Sequence, residues 1–99
     1  MKLVHHVVLV TFKPGQDKLA PALFDALVVL QNKLPGMVGY RYGTNVSPEG
    51  LNQGFTHGFV MTFTDAAARD QYLVHPDHEK VKAEYLPHVA NVIVFDFEG

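Results

Sequence analysis

The sequence predicts an α+β fold: a ferredoxin-like, four-stranded antiparallel sheet with helices on one face. Three observations carry this. The chain reads as β-α-β-β-α-(α)-β, the order of the split βαβ unit. The helical segments repeat apolar residues at spacings of three and four, whereas the strands alternate or are β-branched. At 99 residues there is one domain, spanning 1–99, with no repeat, linker or low-complexity tract.

Residues 4–12 are β-branched and aromatic and read as the first strand, ended by Lys13-Pro14-Gly15. Asp17 is the expected N-cap of the first helix, and Pro21 falls in its first turn, where a missing N–H is harmless. Leu19, Leu23, Ala26, Leu27, Leu30 and Leu34 form its apolar stripe, and Pro35-Gly36 stops it. Residues 37–46 form a second strand, 47–54 a Gly/Pro/Asn/Ser loop, and 55–64 a cleanly alternating third strand. Thr64 or Asp65 caps a helix to about Val74. His75 is held extended by Pro76, which opens a further helix to about Leu86 and Pro87. Residues 89–97 are the last strand.

Both faces of the first and last strands are largely apolar. His6, Val8, Val10 and Phe12 oppose Val7, Leu9 and Thr11, and Ile93, Phe95 and Phe97 oppose Val92 and Val94. A sheet covered on one side should alternate apolar with polar. The second apolar face predicts a homodimer formed sheet to sheet.

The bulk composition narrows the function classes. With 47% hydrophobic and 18% charged residues, the chain is ordinary soluble globular protein. A net charge of −2 with no basic cluster argues against nucleic acid. The absence of cysteine removes disulfides, thiolate nucleophiles and cysteine-ligated zinc. The N-terminal apolar run Val7–Val10 is too short for a signal peptide, and no stretch approaches a membrane span, so the expectation is a cytoplasmic protein with no membrane contact.

The segment Tyr72-Leu73-Val74-His75-Pro76-Asp77-His78 concentrates the chemistry. His78, Val81, Lys82 and Tyr85 share one helical face that is more apolar than its flank, so His78 is expected to point inward. The turn at Pro76 can fold Tyr72 back toward it. His57 shares a strand face with Phe55, Phe59, Met61 and Phe63, and the first and third strands are neighbours in this fold. His6 and His57 are therefore expected side by side under the helices. Three imidazoles and a phenol in an apolar pocket suit general acid–base chemistry. The competing reading is structural: a lone strand histidine is more often a satisfied core residue, and His75 more often braces its turn. His75, His78 and His88 lack a carboxylate partner, so no metal site is expected.

His6 with the run to Phe12-Lys13, Leu34-Pro35-Gly36, Ser47-Pro48-Glu49, Gly54-Phe55-Thr56-His57 and Tyr72-Leu73-Val74-His75-Pro76-Asp77-His78 together resemble the stress-responsive dimeric α+β barrel (Dabb) domain family, from about Leu3 to Phe97. The resemblance implies protomers whose sheets pair into a dimeric α+β barrel. It implies one of two functions: a stress-associated or small-ligand-binding homodimer without catalysis, or a cofactor-independent lyase like the olivetolic acid cyclase-like polyketide cyclases, acting on a small hydrophobic carbonyl compound. In that branch the catalytic pair matches His78 and Tyr72, and the other pocket histidines match His6 and His57. No cofactor is implied. The chain departs from the branch at Leu27, where the branch has tyrosine, and at Glu79-Lys80-Val81-Lys82, which replaces an aromatic-rich helix.

Overall fold

The computed structural model describes residues 2–99. Strands β1 (Val4–Phe12), β2 (Met37–Thr44), β3 (His57–Phe63) and β4 (Val89–Glu98) form one antiparallel sheet in the order β2-β3-β1-β4. Helices α1 (Ala20–Lys33), α2 (Ala66–Leu73) and α3 (Pro76–Tyr85) follow the ferredoxin-like order. The expected fold class is therefore the observed one. Among the described residues, no helix is long and apolar enough to cross a membrane.

The inner face of the sheet, which meets the helices, is set by alternation. Val4, His6, Val8, Val10 and Phe12 of β1 and Phe59, Met61 and Phe63 of β3 are buried on it. The α1 stripe places Leu23, Phe24, Leu27 and Leu30 against this face, each nearly inaccessible and each contributing about 1.5–3 kcal/mol of burial free energy. Gly36, in the turn after α1, lets α2 approach: a Cβ there would lie 2.5 Å from the Cβ of Ala68.

The elements differ from expectation at their ends. Asp17 does not cap α1. It opens a single 3₁₀ turn, Asp17–Leu19, and the helix proper begins at Ala20 with Pro21 in its first turn. The second and third strands are shorter than the sequence suggests, because Asn45 to Thr56 leave the ladder as a long loop. Asp65 rather than Thr64 caps α2, accepting the Ala68 N–H at 2.8 Å. His75 caps α3: its Nδ1 accepts the Asp77 N–H at 3.0 Å, and Pro76 stands at the first helical position. His75 therefore braces the turn, as its sequence context suggested.

The outer face matches its expected character. Leu9, Ile93, Phe95 and Phe97 lie on it, with Phe95 62% exposed. β4 is an edge strand that no helix covers on the inner side either, so Val92 and Val94 stay exposed there.

Candidate active site

Register brings the first polar cluster together. In the β1–β4 ladder His6 lies directly opposite Asp96, so the two side chains emerge on the same inner face. The His6 Nδ1 is 2.7 Å from an Asp96 carboxylate oxygen. A carboxylate only accepts, so Nδ1 carries the hydrogen and Nε2 is turned to the other side of the ring. Arg69, on α2, donates from Nη1 to the second carboxylate oxygen at 2.8 Å. Burial disfavours a charged Asp96, but the hydrogen bonds from Arg69 and His6 prevail and hold its carboxyl below the usual carboxylate range. His6 is 4% exposed and meets Tyr72 edge to face, with ring centroids 5.7 Å apart.

Tyr72 and His78 form the second cluster. The break at Val74 and His75 lets α3 fold back, and the two rings meet at a 36° tilt with centroids 4.2 Å apart. The His78 Nδ1 lies 3.2 Å from the Leu73 carbonyl oxygen, one of the acceptors left over at the C-terminus of α2. A carbonyl also only accepts, so in the neutral ring Nδ1 donates and Nε2 bears the lone pair. Burial, chiefly, lowers the pKa of His78 below the ordinary imidazole value, with the charge of Lys82 acting in the same direction; the Leu73 hydrogen bond opposes but does not reverse this. His78 is thus a neutral base at pH 7. Burial pushes the Tyr72 phenol far up, so it stays protonated and can donate.

His6, Tyr72 and His78 share one cavity of about 310 Å³ between α1, α3 and the inner face of β1 and β4. Its walls are apolar, with Leu23 and Leu27 on one side and Val92 and Val94 on the other. His6, Tyr72, His78, Lys82 and Tyr85 bring the polar atoms. Among the described residues, every fully enclosed side-chain nitrogen or oxygen has a hydrogen-bond partner. Tyr72 Oη and the Nε2 atoms of His6 and His78 have no such partner among the described residues, so none of the three is fully enclosed, and the cavity is a space that all three residues line.

His57 stands apart. It lies opposite Val10 in the β1–β3 ladder, whereas His6 lies opposite Met61. Four strand residues, roughly 13 Å, separate the two imidazoles. His57 shares the inner face, as alternation predicts, but it does not line this cavity. Its Nδ1 pairs with the Thr56 hydroxyl at 2.7 Å, and its ring packs edge-on against Phe12 with centroids 5.4 Å apart. The expectation of His6 beside His57 is therefore corrected: a shared face does not fix position along the strand. Asp96 and Arg69 escaped notice in the sequence. The available signal was Asp96 itself, the single charge within Val92–Phe97. Among the described residues no three His, Cys, Asp or Glu side chains cluster as metal ligands would.

A family profile described as the stress responsive A/B barrel domain matches residues 4–99. The chain belongs to that family. A stress-response A/B barrel domain-containing protein of Arabidopsis thaliana is 33% identical, over 96% of this chain and 88% of that one. Olivetolic acid cyclase of Cannabis sativa is 26% identical, over 95% and 94% of the two chains. Among solved structures, a dimeric ferredoxin-like protein of unknown function from Jannaschia superposes with a TM-score of 0.90 at 29% identity, covering 98% of this chain and 99% of that one. A hydroxynitrile lyase from Passiflora edulis gives a TM-score of 0.88 at 25% identity, covering 99% and 94%. This A/B barrel domain thus has distant relatives named as lyase and cyclase, and a dimeric structural neighbour.

Proposed function

We propose that this A/B barrel domain is a cofactor-independent lyase or cyclase that moves a proton at a carbon next to a carbonyl group. The support for the reading is that His78, Tyr72 and His6 line one apolar cavity, with no hydrogen-bond partner for His78 Nε2, Tyr72 Oη or His6 Nε2 among the described residues. His78 is the general base. Its Nε2 takes the proton from the carbon, and the electron pair moves onto the carbonyl oxygen. Tyr72 donates a hydrogen bond to that oxygen as charge develops there. His78 then returns the proton to the product, so the cycle is redox-neutral. His6, fixed by Asp96 and Arg69, positions the substrate. His57 acts on the fold and not on the substrate.

The protein works as a cytoplasmic homodimer closed through the outer face of the sheet. The exposed Leu9, Ile93, Phe95 and Phe97 support this, as does the dimeric neighbour from Jannaschia. The competing reading, a stress-associated binding homodimer without catalysis, predicts a cavity whose polar atoms are all satisfied by protein, which the unpartnered Nε2 of His78 counts against.

The test is deuterium uptake at the α-carbon of a panel of small ketones and aldehydes in D₂O, followed by NMR. The wild-type chain should accelerate exchange, and His78→Ala should lower it by roughly 10²–10⁴-fold. Tyr72→Phe should also lower it, since only the hydroxyl is lost. Melting temperature and the dimer seen by light scattering should change little in either variant. Unaltered exchange in His78→Ala would remove His78 from the mechanism.

A further inference from the structure

The substrate class can be narrowed by a group the proton-transfer chemistry does not use. We infer that the cavity takes a small oxo acid, with its carboxylate held at the mouth by Lys82. This rests on the reading of His78 and Tyr72 given above. Among the described residues, Lys82 is the one permanently charged residue lining the cavity, and no carboxylate side chain lines it. It sits one helical turn after His78 on the same face of α3, about 6 Å further along the axis. Its charge is felt at the reactive ring, since it is among the causes that lower the pKa of His78.

The Lys82 ammonium currently meets Glu79 at 3.0 Å, in a pair whose two side chains are 42% and 56% exposed. Exposed pairs of this kind are weakly held, so the flexible side chain is available to an anion that arrives with an apolar body to bury. The walls suit that body: Leu23, Leu27, Val92 and Val94 are aliphatic. A carboxylate at Lys82 then places a carbonyl a few carbons away, beside Tyr72 and His78. A cavity of about 310 Å³ is at the small end for ligand sites, which also favours a short oxo acid.

The experiment uses an unreactive pair of equal shape, hexanoate and hexanamide, titrated into the full-length chain while the His78 ring is followed by NMR. Hexanoate should bind about tenfold more tightly than hexanamide, the scale of one charge-assisted hydrogen bond. Lys82→Gln should abolish that preference while leaving hexanamide binding unchanged, and Lys82→Arg should retain it. Equal affinities with shifts at His78 would overturn the carboxylate assignment and leave the proton-transfer reading standing. A preference for hexanoate that survives Lys82→Gln would place the anion elsewhere and overturn the role of Lys82. No shift at His78 with either compound would overturn the inference and count against the cavity as a binding site. The proton-transfer reading keeps its separate test in the exchange activity of His78→Ala.

Discussion

The inner face of the sheet has two ends, each with a strand histidine, and they have become different things. At the β2–β3 end, aromatic rings fill the space under α1. Phe24 stacks on Tyr42 with centroids 4.7 Å apart, Phe59 meets Tyr40 edge-on at 5.9 Å, and the Tyr40 hydroxyl donates to the Phe24 carbonyl at 3.2 Å. His57 is one more ring in that packing. At the β1–β4 end the helices stop short of the edge strand. Val94 keeps 57% of its surface, the space stays open, and His6, Tyr72 and His78 face into it. Helix coverage, rather than residue type, decides which histidine borders the open cavity.

The sharpest way to break this contrast is to damage the packed end. Phe24 is 4% exposed and does not line the cavity, so Phe24→Ala should destabilise the fold by about 3–5 kcal/mol in urea titration while exchange per folded molecule stays near normal. A loss below about 1 kcal/mol would mean that the aromatic cluster is not what holds that end.

The open end should respond to Asp96→Ala. The variant leaves the His6 Nδ1–H and the Arg69 guanidinium without their acceptor in a partly buried site, at about 1–3 kcal/mol of stability. Exchange should fall as well, because the His6 ring loses its fixed orientation. Stability unchanged within about 0.5 kcal/mol would show the ladder pair to be incidental.

Protonation offers a finer test. Asp96 has a folded pKa below the usual carboxylate value, so its contribution is present above that value and fades as pH falls through the folded one. Wild type should therefore lose more stability on acidification than Asp96→Asn does. His78 is active when neutral and its pKa is lowered, so exchange should be half-maximal at a pH below the ordinary imidazole value of 6.5. A midpoint above that value would contradict a desolvated base.

The smallest effect should come from His57→Ala, which leaves exchange within about twofold because its ring is far from the cavity. A larger drop would join the two ends into one site.

Much of this site was legible locally. The His-Pro break announced that α2 would turn back on α3, and helical spacing put His78 and Lys82 on the inward face with Tyr85. Alternation put His6 and His57 on the inner face and left a second apolar face behind. The loop from Asn45 to Thr56 was shorter in the sequence reading than in the fold, because Phe55 continues the apolar alternation although its backbone has left the ladder.

By itself the sequence determined the order of elements, the side of the sheet each residue occupies and the pairing of Tyr72 with His78. Those depend on periods of two and 3.6 residues and on a proline, all read within a short window. Only the tertiary structure decided that Asp96 meets His6 across 90 positions of chain and that Arg69 closes over the pair. It also decided that His57 lies four residues too far along the strand. Periodicity fixes a face but carries no information about register, and register is settled only when the strands and the helices above them pack together.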